Sequence, residues 1–221
     1  MYAFFMQSGM KSEMNPEDVT LADYLKWNGG GQGGRIIRWD IASSHEERMG
    51  VLEEVLGEAY ASLVDVRGIL AKEDRGEDEI SMEVVRMLNF AGISAVHDQH
   101  VNGHCDIVVS HQTGFRWLGE AKVHKDYGWL DDGFLQLSTR YGTALAGKDH
   151  GELIIYHRDG NSKKVLETWQ ERLLKQHDIV SLTEDRINSD LYFRTEHPCA
   201  NSGCTFFVRH TIVPLKHDPQ K

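Results

Sequence analysis

The 221-residue sequence has no apolar run approaching the roughly 18 residues a membrane-crossing helix needs, so a helical membrane protein is not expected. Its opening, MYAFFMQSGMKSEM, lacks a basic start, and its apolar run is too short for a signal peptide. Cysteine is sparse. Cys105, Cys199 and Cys204 form an odd set that suits a reducing cytoplasm better than a disulfide framework. Basic charge is also short, with 24 Lys and Arg against 34 Asp and Glu and a net charge of −10. That excludes a free-standing protein that captures nucleic acid by charge alone, while leaving room for a local basic groove. No internal repeat is found. What is present, 40% hydrophobic and 26% charged residues, is enough for a packed core.

Along the chain, PEDVTLADYLKW (16–27) reads as a short helix with Asn15 as its cap and Pro16 at the first helical position. The glycine cluster NGGGQGG (28–34) lacks the Lys-Ser/Thr of a phosphate-binding loop and reads as a flexible turn. From Ser44 a long helix is signalled, with Ser44 and Glu47 as a capping box. Met49, Leu52, Leu56, Ala59, Leu63, Val66 and Leu70 follow in alternating steps of three and four. That 3.5-residue period suits either a partner helix or packing on the chain's own domain. Residues 1–75 are expected to be a helical assembly region, making a homodimer or binding a partner protein through the 44–72 helix. A second helix is expected over 77–90, then strands at 94–97, 105–110 and 115–123. A helix over 131–145, a strand at 151–157, a helix over 163–175 and strands near 178–182, 191–195 and 205–215 complete the chain. The fold class is α/β, a mixed central sheet flanked by helices, with the core domain over 76–221.

The stretch GHCDIVVSHQTGFRWLGEAKVH (103–124) places charge where a strand normally buries Val and Ile. Residues two apart share a strand face, so Glu120 and Lys122 point one way while Ala121 and Val123 point into the core. If 105–110 and 115–123 pair as a hairpin, Asp106 lies beside Glu120 and Lys122 at one sheet end. Two carboxylates in close company repel unless a cation sits between them. Mg²⁺ (or Mn²⁺) takes oxygen ligands of this kind, here Asp106, Glu120 and the Ala121 backbone carbonyl. It would activate water and stabilise charge on a scissile phosphate, with Lys122 orienting or helping to deprotonate the water. A lone Glu-x-Lys on a strand edge has little specificity, so the companions matter. These are Glu83, at the margin of the helical stripe Ile80–Val84–Met87–Ala91, and Gln136 in GFLQLSTRY.

Together these residues resemble the PD-(D/E)xK nuclease superfamily, the restriction-endonuclease-like fold, over about residues 77–157. The resemblance implies Mg²⁺-dependent phosphodiester hydrolysis, by default of DNA with RNA also open, in restriction, repair or phage-defence settings. By carry-over Glu83, Asp106, Glu120 and Lys122 are catalytic, Gln136 supports them, and Glu83 reaches the metal through water. Two departures stand out. Tyr141 falls five residues after Gln136 where the family's helix motif leads one to expect four, and Cys105 stands where a proline often precedes the aspartate. The alternative is a catalytically inactive, nuclease-like subunit of a larger complex.

His104 and His124 share strand faces with this site and read as polar residues at a wet sheet end. His197, Cys199, Cys204 and His210 are zinc-type ligands, but their spacing, HxC-x4-C-x5-H, fits no familiar finger, so the two cysteines are expected to be structural. Positive charge thickens at Arg140, Lys148, Arg158, Lys163 and Lys164, and residues 126–221 carry 12 basic against 14 acidic groups. Phosphate contacts are expected there.

Overall fold

The computed structural model describes residues 18–72, 75–179, 181–183 and 191–220. The expected Asn15 cap and Pro16 lie outside them. Seven helices, a π-helical turn and seven strands follow in order: α1 (Leu21–Asn28), α2 (Gln32–Ile41), α3 (His45–Asp65), α4 (Arg67–Lys72), α5 (Glu77–Phe90), β1 (Ala95–His100), β2 (His104–Ser110), β3 (Arg116–Val123), α6 (Tyr127–Leu135), the π-turn (Gln136–Tyr141), β4 (His150–His157), α7 (Ser162–Gln176), β5 (Ser181–Thr183), β6 (Tyr192–Pro198) and β7 (Thr205–Pro214).

The strands make one sheet in the order β1-β2-β3-β4-β7-β6-β5. β3, β4 and β7 run parallel in its middle, and the antiparallel pairs β1–β2 and β6–β5 flank them. Parallel strands must be covered on both faces, and nearly every residue of β3 and β4 is buried. On one face α2, α3 and α5 enclose a core that includes Trp39, Leu56, Ile80, Trp117 and Tyr156. On the other, α6, the π-turn and α7 pack around Leu118, Phe134, Trp169 and Phe206. The result is a mixed α/β fold of three layers.

Three local expectations are corrected. α1 starts at Leu21, where Thr20 and Asp23 form a reciprocal capping box. The glycine cluster is not all turn: Gly33 and Gly34 lie in α2, and Gly34 packs so close to Asn28 that a Cβ would stand 2.1 Å from its carbonyl oxygen. Ser44 does cap α3 through the Glu47 amide, but the Glu47 carboxylate turns back to the Ser43 amide, 2.8 Å away, instead of to Ser44.

The larger correction concerns the 3.5-residue seam. Met49, Leu52, Leu56, Ala59 and Leu63 are buried in the chain's own core, and so are Val51, Val55 and Tyr60, which widen the stripe to a globular helix face. The helix breaks after Asp65, leaving Val66 exposed and Leu70 buried on the separate α4. The seam therefore presents no face to a second helix, and the boundary at residue 75 parts no cores, because α3 and the sheet share one. No helix among the described residues is long and apolar enough to cross a membrane.

Candidate active site

β2 and β3 pair in register from Ser110↔Arg116 to Ile107↔Gly119, and there the pairing ends. One residue further, the Asp106 carboxylate takes the place of a strand partner: its Oδ2 accepts the Ala121 N–H at 2.7 Å. The N–H and C=O of one strand residue face the same neighbour, so the Ala121 carbonyl is also turned toward this fork. Glu120 and Lys122 share the face covered by α6, being in register with Leu153 and Ile155 of β4. The fork lies at the carboxyl ends of the parallel strands β3 and β4, the usual place for ligands in open α/β sheets.

Glu120 is only 2% exposed and Lys122 5%. Lys122 Nζ donates to Glu120 Oε1 at 2.6 Å and stands 3.7 Å from Glu77 Oε1. Its ammonium also lies 5.1 Å from the centre of the Trp129 ring. α6 can approach its stem because residue 133 is glycine: a Cβ there would come within 2.8 Å of Lys122 Cγ. Three carboxylates thus face one ammonium. Burial, with Asp106 adding repulsion and Lys122 only partly offsetting it, pushes Glu120 up to about 8. Burial likewise raises Asp106, against the pull of the Ala121 N–H and Lys122. For Lys122 burial is the largest influence and works against the charge, but Glu120, Glu77 and Asp106 together outweigh it and hold the ammonium above its ordinary value. Glu120 Oε2 is buried and finds no hydrogen-bond partner among the described residues. A buried carboxyl oxygen without a partner, a carbonyl and a second carboxylate suit a hard divalent cation such as Mg²⁺, which would draw Glu120 into its ionised form.

The structure brings together Asp106, Glu120, Ala121 and Lys122. It does not bring Glu83, which binds Arg75 at 3.0 Å and Arg86 at 2.7 Å. The acid that α5 supplies is Glu77, whose Oε2 accepts the Val123 N–H at 2.6 Å. The two glutamates are six residues apart, about 240° around a helix, so both cannot face the sheet end. The sequence hides Glu77, because an acid in the first turn of a helix reads as a partner of the helix dipole.

Gln136 is half-buried at the start of the π-turn, and Tyr141 closes it. Hydrogen bonding from i to i+5 takes up one residue more than an α-helical turn, which gives a physical reason for the five-residue spacing. The Tyr141 hydroxyl donates to the His104 carbonyl at 2.6 Å, and burial and the nearby Glu120 raise its pKa. The His104 ring is exposed and bonds Asp98 at 2.8 Å, while His124 packs against Tyr127 and His157. Cys105 is wholly buried, its Sγ 3.5 Å from the carbonyls of Ile107 and Gly119, and burial raises its thiol pKa.

Of the basic residues, Arg158 follows β4, and Lys163 and Lys164 open α7, at the sheet end that holds the fork. Arg140 is drawn to the same end through Tyr141 and Gly103. Lys148 precedes β4 and so stands at the opposite end of an eight-residue strand, about 26 Å long. It does not belong to this group.

The four C-terminal ligands do not converge either. Thr195 Oγ1 bridges His197 Nε2 (2.6 Å) and His210 Nε2 (2.9 Å), and Trp169 Nε1 donates to His210 Nδ1 at 3.2 Å. Cys199 is buried against the Gly142 carbonyl, while Cys204 is exposed. No protein-family model, no curated protein and no solved structure matches the chain.

Proposed function

We propose that this chain is a metal-dependent nuclease that hydrolyses phosphodiester bonds of DNA. The observation that carries the reading is the fork: pairing of β2 and β3 stops where Asp106, Glu120 and Lys122 meet, and a buried Glu120 oxygen is left without a partner. The order Asp…Glu-x-Lys on two adjoining strands resembles the PD-(D/E)xK superfamily and supplies the reaction class.

Asp106 and Glu120 bind Mg²⁺ or Mn²⁺ with the Ala121 carbonyl. The ion, when bound, supplies Lewis acidity to water and to the phosphodiester. Lys122, whose ammonium is held charged by its neighbours, donates hydrogen bonds and offsets charge building on the phosphate. Glu77 positions it through the 3.7 Å contact. Arg140, Arg158, Lys163 and Lys164 give the backbone of the substrate a cationic path beside the fork, which a chain of net charge −10 otherwise lacks.

The test is incubation of the purified chain with supercoiled plasmid, linear duplex and RNA, each with Mg²⁺, Mn²⁺ or EDTA. Cleavage of DNA that requires the divalent ion and is lost in Asp106→Asn is expected. Faster cleavage of RNA would move the substrate. No cleavage of any of them would leave the inactive-subunit reading in its place.

A further inference from the structure

A second group of ligand atoms lies on the opposite face of the sheet from Glu120. His45 opens α3, and Asp149 and His150 lead into β4. In the register of β3 with β4, His150 sits opposite Trp117, three residues or about 10 Å along from the level of Glu120. His45 Nε2, His150 Nδ1 and Asp149 Oδ1 form a triangle with edges of 2.9, 2.9 and 3.2 Å. The rings are held before any ligand arrives. His150 stacks on Phe207 with centroids 4.7 Å apart, and His45 packs on Phe115 at 4.8 Å. The Asp149 carbonyl is fixed by the Phe207 N–H at 2.8 Å.

Such a triangle cannot be satisfied by hydrogen bonds alone. A ring nitrogen either carries a proton and donates or lacks one and accepts. With the carboxylate ionised, every placement of protons leaves one edge with two donors or two acceptors facing each other. A cation at the centre satisfies all three edges together. Tetrahedral zinc, with bonds of about 2.0–2.1 Å, sets its ligand atoms about 3.3 Å apart, within a few tenths of an ångström of the observed edges. We propose that His45, Asp149 and His150 bind a divalent transition-metal ion of the zinc class. Two imidazoles and one carboxylate leave a fourth position for water or a substrate atom. His150 also lines a neighbouring pocket of 260 Å³ with Glu46, Trp117, Arg194 and Arg209. The ligands lie 104 residues apart in sequence, so no local motif announces them.

The chain, freed of metal with EDTA and then held in excess Mg²⁺ to occupy the carboxylate fork, is titrated with CoCl₂ and then ZnCl₂. One equivalent of Co²⁺ should give the strong visible absorption of a tetrahedral complex, and one equivalent of Zn²⁺ should remove it. Zinc at a hundred times its Kd should raise the melting temperature by about 5–10 °C. His45→Ala and His150→Ala should lose the absorption, while Glu120→Gln keeps it. A wild-type titration with no stoichiometric band overturns the proposal whether or not the variants fold. So does a band that survives in both histidine variants or vanishes in Glu120→Gln.

Discussion

Glu120 is the residue on which the proposed chemistry turns. A carboxylate buried this far is disfavoured as an anion unless paired or metal-bound, and the lysine two residues away satisfies only one of its oxygens. Replacing it by Gln keeps the shape and removes the charge, so cleavage should fall roughly 10²–10³-fold, as for loss of one charge-stabilising group. Glu77 and Glu83 separate the geometry from the sequence reading. Glu77→Gln weakens the hold on Lys122 and should slow cleavage at least tenfold, whereas Glu83→Gln, which weakens a half-buried pairing with Arg75 and Arg86, should leave the rate within about threefold. Single-turnover rates on one plasmid substrate decide it. The reverse ranking would restore Glu83 to the site and remove Glu77.

Elements explain which parts could be read in advance. Strand alternation and the turn between β2 and β3 placed Asp106, Glu120 and Lys122 together, because period-two patterning is local. The π-turn was hidden, since an extra residue within a helical run looks like an ordinary helix. So was the use made of His197 and His210. Their zinc-like look dissolves into a relay that ties α7 to β6 and β7. Trp169 N–H donates to His210 Nδ1, which puts the His210 proton on Nε2 and toward Thr195, and the Thr195 hydroxyl then donates to His197 Nε2. Both rings must be neutral for this to hold. Burial pushes His197 down to about 4 and His210 well below its ordinary value. Unfolded histidine titrates near 6.5, so between pH 6.5 and 4 the unfolded chain binds more protons than the native one. Stability therefore falls with acid over that window, by about 3 kcal/mol from His197 alone at its lower end. Melting followed from pH 7 to pH 5 should show the decline, and His197→Gln should make it shallower while His210 keeps its own share. An equally steep decline in the variant would clear His197 of responsibility.

At the scale of the whole molecule, the mixed sheet and its flanking helices were legible because each element carries its own periodicity. What covers what was not. A seam of period 3.5 on a 21-residue helix has the same appearance whether it meets a second copy or its own sheet. The difference lies in Val51, Val55 and Tyr60, which fill positions beside the seam and make it wide enough for a sheet to bury. That distinction yields opposite expectations for one substitution. Were α3 an assembly device, Leu56→Asp or Leu63→Asp would give folded monomers. Both leucines are 0% exposed in the core shared with α5 and β4, so each change removes packing and buries an unpaired carboxylate. The cost is about 4 kcal/mol or more, against a total stability of about 5–15 kcal/mol for a domain. Either variant should lose its cooperative melting transition or melt at least about 10 °C lower. Val66→Asp and Ile69→Asp, at positions 41% and 55% exposed, should melt close to wild type. Circular dichroism melts and light scattering on the five proteins give the answer. Leu56→Asp and Leu63→Asp proteins that melt like wild type while dropping from dimer to monomer would return α3 to the surface.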